Sequence, residues 1–407
     1  MNQRSQEYMF FSSSGKLLPQ EETLEVRKRK NPLTIGIPRE TSLQEKRIPL
    51  APEGVNILTQ NGHKVLIEKD AGVDAHFSDQ EYSEAGGEIV YDKKDVFKAN
   101  TILKIAPLTS AEIKLMNPGQ TLISTITLPV QSQGYFKSLM AKKINAVAFE
   151  LIKDKTNTFP LVRSMSEIAG NTSILIAAEY LSDKKYGKGR MFGGFSGITP
   201  TEVIIIGAGT VGEFAVRAAM GLGAMVKVFD NSIYRLRRLQ NNLNTRIFTS
   251  IIQPKVLVKA LKTADVVIGA IHSPGGRAPV VVDQTMVQQM KYGSIIIDVS
   301  IDQGGCVETS HVTNHDEPVF VKHDVTHYCI PNIASRVPHT ASYAISNFFV
   351  PVLLNIGESG GIVNLLQKDN GIRQGVYLFN GTLTNQYIGE HFNLPHQDIE
   401  LLIASYQ

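Results

Sequence analysis

The chain has 407 residues, a length that favours two domains over a single core. Hydrophobic residues make up 43% and charged residues 19%, as in a folded globular protein, and the net charge of +3 gives no basis for nucleic-acid or membrane-surface binding. The two cysteines, Cys306 and Cys329, suggest neither a disulfide framework nor a metal site. We find no signal peptide and no apolar run of roughly 20 residues, which predicts a cytoplasmic protein without membrane insertion.

Residues 1–31 are polar and are predicted to form an extension ahead of the first domain, with the basic cluster RKRK at 27–30 on a solvated helix or arm. Short β-branched runs then alternate with helical patterns, which predicts an α/β domain with a mainly parallel sheet. The predicted strands cover residues 33–37, 65–68, 101–105, 121–126 and 144–149. A long helix is predicted next, over residues 165–181, with an apolar side formed by Ile168, Ile174, Leu175, Ala178 and Leu181.

The stretch 201–230 is the most informative part of the chain and reads TEVIIIGAGTVGEFAVRAAMGLGAMVKVFD. Its β-branched run 203–206 predicts a buried strand, and Gly207, Gly209 and Gly212 follow in G-x-G-x-x-G spacing. The first glycine allows a tight turn, the second lets a pyrophosphate approach the backbone, and the third lets the next helix pack closely on the strand. A glycine-rich turn with only a packing role is the alternative.

The residues after the glycines continue the same pattern. A helix is predicted over 214–222 and a second strand over 225–229, which ends at Asp230, 18 positions past the third glycine. An acid at that place accepts hydrogen bonds from an adenosine ribose and repels a 2′-phosphate. The combination predicts NAD as the cofactor, with Thr210 and Val211 in the set of binding residues.

Two further buried strands are predicted at 266–271 and 294–299, and a helix at 340–356. The last part of the chain is predicted to return to the first domain. We therefore expect a discontinuous substrate domain (32–163 plus 340–407) and an NAD-binding domain (164–339). The predicted fold class is α/β, with two Rossmann-like domains of mainly parallel sheets, joined by long helices and with the active site in the cleft between them.

Several motifs occur in a characteristic order: IGIPRE (35–40), KRIPLAP (46–52), SMSEIAG (164–170), DVVIGAI (265–271) and IDVSIDQGGC (297–306). Together with the glycine pattern they resemble the alanine dehydrogenase and transhydrogenase-domain family over roughly residues 33–365. The resemblance implies an NAD-linked interconversion of alanine with pyruvate and ammonia. It also implies a small-molecule substrate and a homo-oligomer, commonly a hexamer.

The resemblance also assigns roles to individual residues. Arg47 matches the family's substrate-carboxylate arginine, a residue type whose fork suits a carboxylate, although it could instead be a surface arginine. Asp302 follows a strand, where α/β folds place ligands, and matches the family's aspartate at the reacting centre; the alternative is a turn aspartate. The remaining residues predicted to contact NAD are Ser166, Arg235, Ile271, Val299 and Asn332.

Two positions depart from the family pattern. Ala106 stands where the family has a substrate-binding lysine, and Thr127 where it has a catalytic histidine, whose proton chemistry a hydroxyl cannot supply near neutral pH. Lys104, two residues from Ala106 on the same strand face, is predicted as a possible replacement cation or as a structural residue. We therefore expect reduced turnover of alanine. The alternatives are a soluble NAD-binding subunit of a proton-translocating transhydrogenase and a catalytically impaired, NAD-responsive regulatory protein.

Overall fold

The structure is a computed structural model that describes residues 32–42, 44–273 and 276–405. The predicted N-terminal extension and its basic cluster lie outside the described residues. Two separate, mainly parallel sheets with helices between their strands confirm the predicted α/β class. The strands are β1 (Thr34–Ile37), β2 (Lys64–Glu68), β3 (Glu88–Val90), β4 (Thr101–Leu103), β5 (Thr121–Ser124), β6 (Asn145–Ala148), β7 (Glu202–Ile206), β8 (Met225–Phe229), β9 (Phe248–Ser250), β10 (Val266–Gly269), β11 (Ile295–Asp298), β12 (Val319–Lys322), β13 (Val325–Tyr328), β14 (Val376–Phe379) and β15 (Thr382–Leu383).

The helices connect these strands and cover the sheets. They are α1 (Pro52–Gln60), α2 (Asp79–Glu84), α3 (Lys93–Val96), α4 (Ser110–Leu115), α5 (Gln133–Ala141), α6 (Pro160–Ser182), α7 (Thr210–Gly221), α8 (Ile233–Leu243), α9 (Pro254–Leu261), α10 (Gln284–Val287), α11 (Pro338–Ser359), α12 (Ile362–Lys368), α13 (Asn370–Arg373), α14 (Gln386–Phe392) and α15 (Ile399–Ala404). Short 3₁₀ turns occur at Val73–Ala75, Leu128–Val130, Phe149–Leu151, Val299–Gln303 and Ile333–Arg336.

The first sheet has the strand order β15-β14-β6-β5-β4-β1-β2-β3. Strands β1 to β6 run parallel, whereas β14 pairs antiparallel with both β6 and β15. Strands β14 and β15 therefore extend a sheet whose other strands all come from residues 34–148.

The second sheet has the order β12-β13-β11-β10-β7-β8-β9, and only β12 runs antiparallel to its neighbour. Alternation along β7 explains why its run is wholly apolar: Val203 and Ile205 face one core, and Ile204 and Ile206 face another. In both domains the carboxyl ends of the central parallel strands open towards one cleft, the edge where α/β folds bind ligands.

Two long helices lie beside this cleft. Helix α6 contributes Leu161 to the core of the first domain and Ile174 to that of the second, so it spans both. Helix α11 packs on α6 and α1 and contributes Phe349 to the first core. Helix α11 is the one helix in the described part of the chain that meets the length and composition of a membrane span, but 56% of its apolar window is buried within the fold.

The predicted starts of helices α6 and α7 and the predicted burial of Leu175 are wrong. Helix α6 begins at Pro160, five residues earlier than expected, and Leu175 is 59% exposed instead of lying on the apolar side. The core-facing side runs through Ser173, Ala177 and Leu181, four residues apart, and Leu175 points away from it. Helix α7 begins at Thr210 and not at residue 214, so its first turn lies directly on the glycine motif.

Candidate active site

A cavity of about 350 Å³ lies between the two domains, at the carboxyl ends of strands from both sheets. The first domain and α6 line it with Arg47, Thr125, Phe149, Glu150, Leu161, Val162, Met165, Ser166 and Ala169. The second domain lines it with Val211, Ala270, Ile271, His272, Val299, Ser300, Asp302, Gln303, Asn332, Ile333 and Ala334.

The cavity brings together a large part of the predicted site. The predicted residues that line it are Arg47, Ser166, Val211, Ile271, Val299, Asp302 and Asn332. Lys104 does not line it, and neither do the remaining predicted cofactor residues Gly207, Gly209, Thr210, Gly212, Asp230 and Arg235.

The glycine turn has a geometry that other residues would not tolerate. Gly207 has φ +113°, and a Cβ there would lie 2.3 Å from the carbonyl oxygen of Ala270. A Cβ at Gly212 would lie 1.9 Å from the carbonyl oxygen of Gly207. At Gly209, by contrast, no described atom lies within 4 Å of a Cβ position. The open space above Gly209 and the free N–H groups of α7 fit the pyrophosphate of a dinucleotide.

Asp230 connects this turn to the end of β8. One carboxylate oxygen accepts a hydrogen bond from the Ala208 N–H at 2.7 Å, and the other accepts one from the Ser232 N–H at 2.7 Å. The Arg235 guanidinium lies 3.8 Å from the carboxylate. Asp230 thus fixes the glycine turn while its remaining lone pairs are available to the ribose of a dinucleotide.

Asp302 lies in the 3₁₀ turn that follows β11 and accepts a hydrogen bond from the Asn332 N–H at 2.7 Å. Asn332 adopts a left-handed conformation, φ 57°, that aims this N–H at the carboxylate. Burial raises the pKa of Asp302 above its ordinary value, although the Asn332 N–H and the positive charge of Arg47 act in the opposite direction. Asp298 shapes the same loop, since its carboxylate accepts from the N–H groups of Ser300 and Cys306.

Arg47 is buried and forms a two-point ion pair with Glu45, with Nε–Oε1 at 2.7 Å and Nη2–Oε2 at 2.6 Å. Glu45 also links the two sides of the cleft: its carboxylate oxygens accept hydrogen bonds from Asn332 Nδ2 at 3.0 Å and from Ser335 Oγ at 3.2 Å. Burial alone raises the pKa of Glu45, but the charge and hydrogen bonds of Arg47 outweigh it and hold that pKa below its ordinary value. The Nη1 side of Arg47 faces the sulfur of Met165, a weak acceptor, at 3.3 Å.

Lys104 is completely buried, with its Nζ 2.6 Å from Glu40 Oε2 and 3.9 Å from Glu112 Oε2. Glu40 also accepts from the N–H groups of Ile105 and Ala106. Burial raises the pKa of Glu40 to about 7, although Lys104 opposes this rise. The lysine therefore stabilises the loop after β4 in a buried ion pair, and its ammonium group does not reach the cavity.

The two positions that depart from the family pattern do not line the cavity either. Ala106 is buried, and Thr127 has a left-handed conformation, φ 49°, with its hydroxyl 3.2 Å from that of Thr125. Thr125 itself lines the cavity. No group of three or more metal-ligating side chains occurs among the described residues.

The sequence reasoning missed three cavity or near-cavity residues: Glu45, Glu150 and His272. Glu150 directly follows a predicted strand, so the rule that selected Asp302 could have found it. His272 is the next residue after Ile271, and partial burial together with the charge of Arg235 lowers its pKa. No sequence pattern indicates the role of Glu45, because its cross-cleft partners Asn332 and Ser335 are almost 300 positions away in the chain.

Comparisons with known proteins agree with this geometry. The chain matches the family "Alanine dehydrogenase/PNT, N-terminal domain" over residues 36–169 and "Alanine dehydrogenase/PNT, C-terminal domain" over residues 173–386. An alanine dehydrogenase of Bacillus subtilis (strain 168) is 38% identical over 369 residues, 90% of this chain and 97% of the relative. One from Staphylococcus saprophyticus is 36% identical and covers 90% of this chain and 99% of its own length.

Solved structures give the same result. An L-alanine dehydrogenase structure superposes with a TM-score of 0.83 at 34% identity, covering 89% of this chain and 99% of its own. A transhydrogenase from Sinorhizobium meliloti has a TM-score of 0.73 at 22% identity, with 87% of this chain covered and 99% of the other, and shows a shared fold. Because both domains match in order and the similarity extends along nearly the whole described chain, this protein belongs to the alanine dehydrogenase/PNT family.

Proposed function

We propose that the chain is an NAD-dependent amino-acid dehydrogenase that interconverts L-alanine with pyruvate and ammonia. The observation that carries the proposal is that one cavity is lined by a buried arginine and by an aspartate from the other domain, next to a glycine turn suited to a dinucleotide. A bound nicotinamide would supply the hydride acceptor. Family membership supports the same activity.

In this proposal Arg47 binds the substrate carboxylate. Glu45 occupies the Nε–Nη2 edge of the guanidinium, so the substrate approaches the Nη1 side, where only a weak acceptor, the sulfur of Met165, now lies. Asp302 is held by the Asn332 N–H and stabilises positive charge at the substrate nitrogen. Phe149 and the apolar side chains of α6 exclude water around the reacting carbon.

The NAD specificity, the hexamer and the cytoplasmic location belong to the same proposal. Asp230 supports NAD over NADP because it lies beside the turn with its carboxylate buried and fixed. Size-exclusion chromatography with light scattering on the purified protein tests the hexamer directly, and a monomer in solution would remove that part of the proposal.

The activity is tested by following NADH oxidation with pyruvate and ammonia, and NAD reduction with L-alanine, next to a panel of other amino acids and oxo-acids. Turnover of alanine above the other substrates supports the proposal. Binding of NAD without turnover on any pair would favour a regulatory protein. The soluble transhydrogenase subunit is the second candidate, because Ala106 and Thr127 replace two polar groups of the dehydrogenase pattern, and hydride exchange between bound nucleotides without amino-acid turnover would favour it.

A further inference from the structure

Glu150 is a carboxyl group in the cavity that none of the predicted roles includes. It lies in the 3₁₀ turn Phe149–Leu151 directly after β6 and lines the same cavity as Arg47 and Asp302. Strand β6 is the neighbour of β5 in the sheet, so Glu150 lies beside the loop that carries Thr125 and Thr127. It is thus placed next to the position where the family has its histidine.

The two oxygens of Glu150 have different surroundings. Oε1 accepts a hydrogen bond from the Ile126 N–H at 2.7 Å, which fixes the carboxyl group in the wall. Oε2 is enclosed, and no hydrogen-bond partner for it exists among the described residues. A buried oxygen without a partner is costly, unless the group carries a proton or a ligand supplies the missing bond.

The charged groups around Glu150 do not neutralise it. Arg47, the cation in this cavity, is already paired with Glu45. The phenols of Tyr135 and Tyr377 face Glu150 from neighbouring elements and are themselves neutral, since burial raises the pKa of both. His272 and Asp302 lie across the cavity on the other domain. With burial as the dominant influence, the pKa of Glu150 rises to about 7.

We infer that Glu150 is the acid–base group of this cleft and exchanges protons with the substrate through Oε2, the role that the hydroxyl of Thr127 cannot fill. The inference rests on the proposed dehydrogenase function. A carboxyl group in the cavity wall that is held near the working pH, with one oxygen fixed and the other without a protein partner, can both donate and accept a proton there.

In the direction of amine formation, the lone pair of ammonia adds to the carbonyl carbon of the oxo-acid and the C=O π electrons move to oxygen. The protonated Glu150 gives its proton to that oxygen, and the resulting carboxylate takes a proton from the nitrogen, so the carboxyl group is restored. Protonation of the new hydroxyl by Glu150 then lets the C–O bond break, water leaves, and the nitrogen lone pair forms the C=N bond. Glu150 regains its proton from solvent.

The test compares the wild type with Glu150→Gln, which keeps an oxygen for the Ile126 N–H but cannot exchange a proton. We expect kcat for alanine oxidation to fall by about 10²–10⁴-fold with unchanged affinity for NADH. The ratio of wild-type to variant kcat/KM should also fall as the pH is lowered through about 7, because the wild type loses its base there. Thr127→Val is the matched control, which removes the neighbouring hydroxyl and should leave kcat within a few-fold of the wild type.

The outcomes separate this inference from the proposed function. A wild type that turns over no amino acid overturns both, whereas an active wild type and an equally active Glu150→Gln overturn only the role of Glu150. A loss of activity with a pH-independent ratio would mean a packing role and would also overturn it. Should Glu150→Gln fail to bind NADH through misfolding, Glu150→Asp decides: a shifted pH midpoint supports the inference and an unchanged one refutes it.

Discussion

Replacing Arg47 by methionine tests the centre of the proposed site, and its expected effect has two parts. The side chains of Arg47 and Glu45 are only 9% and 5% exposed, and their ion pair has two short contacts. Arg47→Met leaves the Glu45 carboxylate buried without its cation, with hydrogen bonds from the N–H of residue 47, Asn332 and Ser335. Breaking one side of a buried pair costs on the order of 3–5 kcal/mol, so we expect the free energy of unfolding to fall by about that amount.

The second part of the effect is on the substrate. A charge-assisted contact to a carboxylate contributes about 1.5–3 kcal/mol, which corresponds to a roughly 10- to 150-fold weaker affinity for pyruvate. The double variant Glu45→Gln with Arg47→Met removes the unpaired charge, so it should recover much of the stability but none of the pyruvate affinity. This separates folding from binding within one set of proteins.

The assay combines urea unfolding at pH 7 with calorimetric titration of pyruvate into the NADH-loaded protein without ammonia. The wild type, Glu45→Gln, Arg47→Met and the double variant complete a cycle. Unchanged pyruvate affinity in the double variant would remove Arg47 from the substrate site. Equal destabilisation of Arg47→Met and the double variant would show that the unpaired Glu45 charge is not the source of the loss.

Three further outcomes follow from the same geometry. Because the carboxylate of Asp230 repels a 2′-phosphate, calorimetry should give at least about tenfold tighter binding of NAD than of NADP, and equal affinities would contradict the assignment of the turn. If Glu150 supplies the acid–base chemistry, the double variant Ala106→Lys with Thr127→His should change steady-state alanine turnover by less than about tenfold. A gain of about 10²–10⁴-fold would show instead that turnover is limited by the absence of the family's lysine and histidine. The pKa of Glu150 is raised from an ordinary 4.5 to about 7 in the fold, so between pH 4.5 and 7 Glu150 ionises in the unfolded chain while it stays protonated in the folded protein. The stability of the wild type therefore falls over that window, and the Tm of Glu150→Gln should rise relative to it. A constant difference in Tm would contradict the raised pKa.

Patterns that depend on local backbone geometry were readable in the sequence. The spacing of Gly207, Gly209 and Gly212 identified a turn whose contacts exclude any Cβ at the first and third positions. The apolar run of β7 predicted a strand buried on both faces, because alternate residues of a parallel strand must each meet a core. The rule that ligands bind at the carboxyl ends of such strands selected Asp302 for the same reason.

Pairing and burial of charged groups could not be read in this way, because they join residues far apart in the chain. The sequence allows Lys104 a role in the cavity, whereas in the fold its ammonium group pairs with Glu40, 64 positions earlier in the chain. Glu45 acquires its cross-cleft partners only when the second domain folds against the first. The sequence determined a glycine turn with the spacing typical of dinucleotide binding and an aspartate after a strand. The tertiary structure decided which cations are already neutralised and left the Oε2 of Glu150 enclosed in the cavity wall, because burial depends on contacts between distant segments.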